Sequence, residues 1–406
     1  MKLGVPREIG VNERRVAVTP DSVRQIKAAG YEVLLESGAG TGIYAPDSAY
    51  QEAGASVVPS TADLWSRSEI ILKIQPPLQN QALNLHEANL LAEGATLICM
   101  LRPLSNLDIV RMLTQRRVTS FSMDMMPRTT RAQRMDALSS MSTIAGYKAV
   151  LMAADTSPRL FPMLVTAAGT IAPSRVLIVG AGVAGLQAIA TARRLGAVVE
   201  AYDVRPAVKE EVESLGAKFV GPQLSKEETQ DSQGYAKALS PEAQQKGLEM
   251  LRARVKQADV VITTARVPGL PAPKLISAED IAGMKPGSVI VDLAADMGGN
   301  CEPTQAGATV VRNNVTIHGP VRLANTVPVH ATQMYSKNIT SFLLHITKEG
   351  KLNLDWNDDI TSGTCVTRDG QIVHAPTRER VEKGATQPAG ASAAPSAATP
   401  PTRSTT

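Results

Sequence analysis

The sequence has few cysteines, no strong excess of one charge and no long apolar run. Nowhere does it approach the ~18 consecutive apolar residues of a membrane-spanning helix. Its first residues also lack the apolar segment of a secretory signal peptide. We therefore expect a protein that neither spans a membrane nor is exported.

The three cysteines, Cys99, Cys301 and Cys365, lie far apart along the chain. This spacing is typical of reduced thiols in a cytoplasmic protein rather than of a disulfide framework or a zinc site. The five histidines form no H-x-x-x-H pair, so we predict no metal site. A net charge of +4, spread along the chain, does not indicate nucleic-acid binding.

With 406 residues the chain is long enough for two domains, each with its own core. Its first 120 residues or so alternate between strand-like and helix-like segments, which is typical of a parallel sheet flanked by helices. The predicted elements are strands over 2–5, 31–35, 69–74 and 95–100 and a helix over 20–29. The glycine cluster at 38–42 is predicted to be a loop, because Ile43 follows it and no helical pattern begins there.

The most informative segment is an apolar run over 175–179 that leads into Gly180, Gly182 and Gly185 and then into a helical pattern. A second apolar run ends in Asp203, close to the spacing of ~20 residues expected between the last glycine and a ribose-binding acid. Strand, glycine turn, helix and acid together predict a dinucleotide-binding unit. A flavodoxin-like or methyltransferase-like turn with an unrelated acid is the alternative.

Each residue of this motif has a physical role. Gly180 permits the tight turn, Gly182 lets the backbone approach a pyrophosphate, and Gly185 lets helix and strand pack closely. The helix N-terminus would bind the phosphates. Asp203 would accept the ribose hydroxyls and repel a 2′-phosphate, which favours NAD(H), whereas Arg205 leaves NADP(H) open.

Beyond residue 120 the pattern predicts a continuous helix from Arg131 to about Ala154 that bridges two domains, and a second helix over 330–348 that returns to the first domain. Further strands are predicted over 260–264, 288–293 and 309–311. The polar segment 223–245 is predicted to be a mobile functional loop. From Gly384 onward the composition is that of a flexible tail.

Several segments closely resemble the NAD(H)-binding component, domain I, of proton-translocating nicotinamide nucleotide transhydrogenase, in unbroken order over about residues 1–380. They are Lys2-Leu-Gly-Val-Pro-Arg-Glu, Asn12-Glu-Arg-Arg-Val-Ala-Val-Thr-Pro, Glu36-Ser-Gly-Ala-Gly, the stretch from Pro127 to Ser140, Gly234-Tyr-Ala-Lys and Ser362-Gly-Thr-Cys-Val-Thr-Arg-Asp-Gly. Alanine dehydrogenase shares the fold and is the nearest competitor.

This resemblance implies an α/β fold of two Rossmann-like, doubly wound parallel-sheet domains separated by a cleft. The implied domains are residues 1–140 plus 330–380, an NAD(H)-binding domain over 141–329, and a disordered tail over 384–406. The implied function is hydride transfer from NADH to NADP⁺ held on a partner subunit. The implied partners are the NADP(H)-binding component and the proton-translocating membrane subunits, with this chain a homodimer, cytoplasmic and peripheral at the inner face of the plasma membrane.

The resemblance also carries roles to individual residues. Arg128, Gln133, Asp136 and Ser139 would hold the nicotinamide end of NAD(H), with Arg128 and Asp136 as a buried ion pair; an ordinary helix start is the plain alternative. Tyr235 would close over the bound nucleotide, unless it lies in a merely solvated loop. The remaining cofactor-binding residues implied are Val183, Ala184, Val204, Arg205, Thr264 and Ala265, beside the three glycines and Asp203.

Two other functions stay open. An alanine dehydrogenase needs a cation for the substrate carboxylate and a group that exchanges a proton, yet this chain has Gln75 and Arg102 where that family has lysine and histidine. An arginine stays protonated, although Lys73 is expected on the same strand face as Gln75 and could substitute. Arg15 and Asp296 match both families. A non-enzymatic NADH-sensing protein is the third interpretation.

Overall fold

A computed structural model of the protein describes residues 1–222, 240–267 and 269–385. The described strands, numbered β1 to β21 in chain order, are Lys2–Val5, Glu32–Glu36, Ser56–Val58, Ile70–Leu72, Gln79–Asn80, Leu85–His86, Thr96–Cys99, Thr119–Ser122, Leu164–Thr166, Gly169–Ile171, Arg175–Val179, Val198–Tyr202, Lys218–Val220, Val260–Thr263, Val289–Asp292, Thr309–Arg312, Val315–His318, Thr347–Lys348, Lys351–Leu352, Cys365–Arg368 and Gln371–Ile372.

The described α-helices, numbered α1 to α13, are Pro20–Ala28, Asp47–Glu52, Thr61–Arg67, Glu87–Leu90, Leu107–Gln115, Ala137–Thr156, Val183–Arg194, Lys209–Ser214, Pro241–Val255, Ala278–Ala282, Pro328–His345, Asp359–Thr364 and Ala375–Ala385. Short 3₁₀ helices lie at Thr41–Ile43, Met123–Met125, Thr130–Met135, Pro206–Val208, Ala295–Met297 and Leu323–Thr326. The predicted strands and the first predicted helix all occur, with ends displaced by one or two residues.

Eight described strands form the first sheet, in the order β21-β20-β8-β7-β4-β1-β2-β3. The six strands from β8 to β3 are parallel, whereas β20 runs antiparallel to β8. Successive residues of β4 enter opposite cores: Ile70 and Leu72 pack on one face and Ile71 on the other. Helices therefore cover both faces, as in a doubly wound sheet.

The second sheet has the order β13-β12-β11-β14-β15-β17-β16 and is parallel except for the edge strand β16. Along β11, Val176 and Ile178 belong to one core while Leu177 and Val179 belong to the other. Burial on both faces explains why this strand is a continuous apolar run from Val176 to Val179. The predicted fold class, two doubly wound α/β units, is confirmed.

Helix α6 connects the two units. Ala137, Met141 and Ile144 pack in the core of the first sheet, and Val150 and Ala153 pack in a core of the second. The continuous helix predicted over 131–154 is wrong at its start, because Thr130–Met135 is a 3₁₀ helix that ends before α6 begins. Asp136 separates the two: its carboxylate accepts a hydrogen bond from the Ser139 backbone N–H at 2.8 Å and caps α6.

The chain returns to the first unit through α11, which begins at Pro328 and ends at His345. The predicted helix over 330–348 is thus too long at its C-terminal end, where β18 starts at Thr347. Gly384 and Ala385, predicted to belong to the tail, are instead the last two residues of α13. Residues 386–406 lie outside the described part of the chain. The glycine cluster at 38–42 is a loop, as predicted, only up to Gly40, because Thr41 and Gly42 belong to the 3₁₀ helix Thr41–Ile43.

Candidate functional site

The glycine turn lies between β11 and α7. Gly180 has a φ of +98°, a left-handed conformation that side chains other than glycine rarely adopt. A Cβ atom on Gly185 would lie 2.9 Å from the carbonyl carbon of Gly180, so glycine is needed there for close packing. A Cβ atom on Gly182, in contrast, would meet no described atom within 4 Å. The backbone at Gly182 therefore faces open space that a ligand can enter.

Helix α7 begins at Val183, immediately after this turn, and none of the described side chains caps it. The N–H groups of its first turn, which include those of Val183 and Ala184, carry the positive end of the helix dipole. Thr264 and Ala265 flank the turn at the end of β14, where the Thr264 hydroxyl donates to the Gly180 carbonyl at 2.9 Å. The arrangement is suited to an anion such as a pyrophosphate.

Asp203 ends β12 beside the turn and is buried, with 5% of its surface exposed. One carboxylate oxygen accepts from the Ala181 N–H at 2.7 Å and from an Arg205 guanidinium N–H at 2.8 Å. The other accepts from the Arg205 backbone N–H and Nε, both at 2.9 Å. The Asp203 carboxylate raises the pKa of Arg205. All four acceptor positions of Asp203 are thus taken, so ribose hydroxyls would have to replace the Arg205 side chain.

Asn300 is a residue of this region that sequence reasoning missed. It is fully buried; its Oδ1 accepts from the Ala265 N–H at 3.0 Å, and its Nδ2 donates to the carbonyl oxygens of Ala265 and Pro273 at 2.8 and 2.9 Å. It therefore holds together two points of the loop after β14, and Ala265 in this loop lies next to Gly180. The signal in the sequence is an asparagine that follows two glycines, which is too general to indicate this role.

The segment predicted to hold the nicotinamide lines a cavity of about 490 Å³ between the two units. Arg128, Gln133, Asp136 and Ser139 all contribute to its wall, and Val183 at the start of α7 lies on the same cavity. Other lining residues are Pro127, Thr129, Thr130, Ser140, Thr143 and Met334. The cavity therefore brings the glycine-turn helix and the Arg128–Ser139 segment together.

The structure differs from the expected buried ion pair of Arg128 with Asp136 in the burial of the two side chains. Arg128 is exposed and Asp136 half-buried, so a contact between them would not be a buried ion pair. Asp136 has a different, local role, because its second carboxylate oxygen accepts from the Ser139 hydroxyl at 2.5 Å. The sequence pattern did not separate a helix cap from an ion-pair partner, since an aspartate suits both.

Lys73 does not line the cleft. It is fully buried, with its Nζ 3.4 Å from Glu8 and 3.1 Å from Glu87. Burial opposes its charge, but these two carboxylates outweigh burial and raise the pKa of Lys73. Gln75 instead donates to Glu13 at 2.7 Å. The expectation that Lys73 could substitute at the position of Gln75 is therefore wrong.

The other charged residues named from the sequence also have partners. The Arg15 guanidinium donates to both carboxylate oxygens of Glu13, at 2.7 and 2.6 Å. Arg102, on the first unit, lies 3.7 Å from Asp296, on the second. Val204 packs partly against a core of the second sheet. Tyr235 lies outside the described residues.

The described part of the chain contains neither a metal-binding cluster nor a helix that could span a membrane. No cluster of three or more histidine, cysteine, aspartate or glutamate side chains in residues 1–222, 240–267 and 269–385 could hold a metal ion. No helix in the same ranges is long and apolar enough to cross a membrane.

Two doubly wound sheets with a glycine turn at the start of α7 define a Rossmann-type class of protein. The models of two domains match this chain: Alanine dehydrogenase/PNT, N-terminal domain, over residues 4–145, and Alanine dehydrogenase/PNT, C-terminal domain, over residues 149–375. The chain therefore belongs to the alanine dehydrogenase/PNT family.

Individual relatives point to the same family. An NAD(P) transhydrogenase alpha-subunit polypeptide of Rhodospirillum rubrum is 45% identical over 377 residues, which cover 92% of this chain and 98% of the relative. A solved transhydrogenase structure from Sinorhizobium meliloti has a TM-score of 0.81 and 40% identity, covering 92% of this chain and 100% of that one. An L-alanine dehydrogenase structure has a TM-score of 0.80 and 27% identity, covering 94% and 99%. The predicted resemblance to transhydrogenase is confirmed.

Proposed function

We propose that this chain is the NAD(H)-binding subunit of a proton-translocating transhydrogenase. The cavity that joins the start of α7 to Arg128, Gln133, Asp136 and Ser139 carries this proposal, because one ligand could contact both at once. The α7 N–H groups would bind the pyrophosphate of NAD(H), with Val183 and Ala184 at the contact. Arg128 and Gln133 would orient the nicotinamide end.

Bound NADH would supply a hydride, and its transfer to a second nicotinamide needs no proton-exchanging side chain. The requirement is positioning, with the reacting atoms ~3–3.5 Å apart. The cavity wall fits this requirement, since Asp136 and Ser139 are committed to the cap of α6 and hold that helix start in place. An NADP(H)-binding component on a partner subunit would provide the acceptor.

The choice of NAD(H) over NADP(H) rests on Asp203. Its buried carboxylate lies at the end of β12, where a 2′-phosphate would meet a negative charge. Arg205 could in principle bind that phosphate, but its guanidinium is held on Asp203 by two hydrogen bonds. Ribose hydroxyls can take the place of this guanidinium because they donate hydrogen bonds to the Asp203 carboxylate, whereas a 2′-phosphate only accepts and adds negative charge beside it, so we assign NAD(H).

The proposed partners are an NADP(H)-binding component and proton-translocating membrane subunits, which would hold this chain at the cytoplasmic face of the plasma membrane.

A homodimer is proposed from the hairpin β9–β10, whose apolar side chains are exposed, Val165 at 73% and Ile171 at 46%. Apolar patches of this kind are typical of protein interfaces. A second copy of the chain would cover them, and sedimentation of the purified protein tests this.

The function is tested by mixing the purified chain with an NADP(H)-binding component of a transhydrogenase. The chain alone should bind NADH and fail to reduce NADP⁺, and the mixture should transfer hydride rapidly.

Gly182→Ala tests the glycine turn directly, because its methyl group meets no described protein atom and would obstruct only a ligand. Gly363→Ala is the matched control, since that position is also open and lies far from the glycine turn in the sequence. Equal NADH affinity in both variants would refute the glycine-turn site.

A further inference from the structure

The 3₁₀ helix Thr130–Met135, which carries Gln133 into the cavity, is held from its inner and outer sides. On the inner side Ala132 and Met135 are buried in the core of the first sheet. On the outer side the Arg134 carbonyl accepts from Nδ2 of the buried Asn338 on α11 at 2.9 Å. A further outer contact is made by Arg131, whose guanidinium donates to the carboxylate of Asp358.

Asp358, the partner of Arg131, is held by several hydrogen bonds of its own. Its Oδ2 accepts from His345 Nε2 at 2.7 Å, from the Thr361 N–H at 2.9 Å and from the Thr361 hydroxyl at 3.0 Å. Its side chain is only 11% exposed. Burial opposes its charge, but the hydrogen bonds outweigh burial and hold the pKa of Asp358 well below its usual range.

Because Asp358 is fixed by α11 and by the first turn of α12, Arg131 is tied to a rigid point far from it in sequence. Because Arg131 is 63% exposed, its ion pair with Asp358 contributes little to the free energy of unfolding. The ion pair instead determines where the turn between Arg128 and Gln133 lies. Arg128 and Gln133 are the side chains that would orient the nicotinamide. A shift of this turn would alter the rate of hydride transfer and not the overall stability.

We propose that Asp358 is a positioning residue for hydride transfer: through Arg131 it holds the 3₁₀ helix that presents Gln133 to the cleft and that begins two residues after Arg128. This inference rests on the proposed function.

Asp358→Asn separates positioning from folding. Asparagine caps helices about as well as aspartate, so its oxygen can keep the bond to the Thr361 N–H. The amide NH₂ then faces Arg131 and cannot accept its hydrogen bond. Asp108→Asn is the matched control, because it removes the same charge from another aspartate that pairs with an arginine, Arg111 on α5, at 2.6 Å.

We expect Asp358→Asn and Arg131→Gln each to lower the rate of hydride transfer to the NADP(H)-binding component by ~10-fold, a fraction of the ~10²-fold expected for a misplacement of 1 Å. NADH affinity should change less than ~2-fold, because the glycine turn is untouched. The double variant should be no slower than either single variant, since both remove one interaction. Arg131→Lys should keep at least half of the rate, and Asp108→Asn should behave as the unchanged protein.

Unchanged rates in Asp358→Asn, equal losses of rate and affinity, or multiplying effects in the double variant would each overturn the inference while leaving the proposed function intact. Absence of hydride transfer in the unchanged protein would refute the proposed function and this inference with it. The unchanged protein is therefore measured first.

Discussion

Gly146 lies where α6 and α7 touch, and its replacement by alanine should disturb stability and function together. A Cβ atom at Gly146 would overlap the carbonyl oxygen of Ala184 and lie 2.9 Å from the carbonyl carbon. Ordinary contacts between carbon atoms are ~3.5–4.0 Å, so the helices would have to separate by about 1 Å. Overpacking of a buried contact costs about 1–3 kcal/mol of the free energy of unfolding.

The same displacement reaches the cleft. Helix α6 carries Ser139 near its start and α7 carries Val183, and both residues line the cavity. If the two helices must hold one nucleotide between them, a separation of about 1 Å should slow hydride transfer by ~10²-fold. Gly146→Ala should therefore lose both stability and rate.

Denaturant unfolding measures the first effect, and hydride transfer in the presence of the NADP(H)-binding component measures the second. Gly363→Ala is the control, because its methyl group meets nothing within 4 Å in the described structure. A helical glycine replaced by alanine without a clash gains up to ~1 kcal/mol, so the two substitutions should have opposite signs. If Gly146→Ala unfolds at the same denaturant concentration and transfers hydride at the normal rate, the close approach of α6 and α7 is not required and the reasoning fails.

Three further predictions concern the cleft. NADH should bind more than ~10-fold more tightly than NADPH, a margin of ~1.4 kcal/mol in binding free energy. Asp203→Ala should reduce this preference. Equal dissociation constants for the two nucleotides in fluorescence titrations would contradict the assignment of NAD(H). Incubation with L-alanine and NAD⁺ should produce no NADH above background, because Lys73 is enclosed by Glu8 and Glu87; sustained NADH formation would favour the dehydrogenase interpretation. Arg128→Ala should slow hydride transfer by ~10²-fold with a much smaller loss of NADH affinity, whereas equal losses would mean that Arg128 supplies uniform binding.

The elements that could be predicted from the sequence are those whose causes are local. The run from Val176 to Val179 is apolar without interruption because β11 is covered on both faces, and Gly185 lies within a few residues of Gly180, with which a side chain there would clash. Such patterns depend on strand and helix periodicity and on backbone conformation, which neighbouring residues determine. The same holds for α1, whose start is marked by Thr19 as a cap and by Pro20.

The features that could not be predicted depend on partners far apart in the chain. An aspartate at 136 is compatible with a helix interior, an ion pair or a cap, and only the folded chain shows that it caps α6. Strand alternation predicts Lys73 and Gln75 on one face, yet β4 ends at Leu72, and Glu8 and Glu87 from other segments determine the position of Lys73. Arg205 could bind a phosphate until its geometry on Asp203 is seen.

The sequence by itself determined the class of fold, the glycine turn and the family, because each is a pattern of residue types at short and regular spacing. Only the tertiary structure decided which charged groups pair with one another, which face the cleft, and how Asp358 comes to hold Arg131. Those contacts join residues more than two hundred positions apart or from different strands and helices. Electrostatic and hydrogen-bond partners are selected by distance in space, which no local pattern of residue types records.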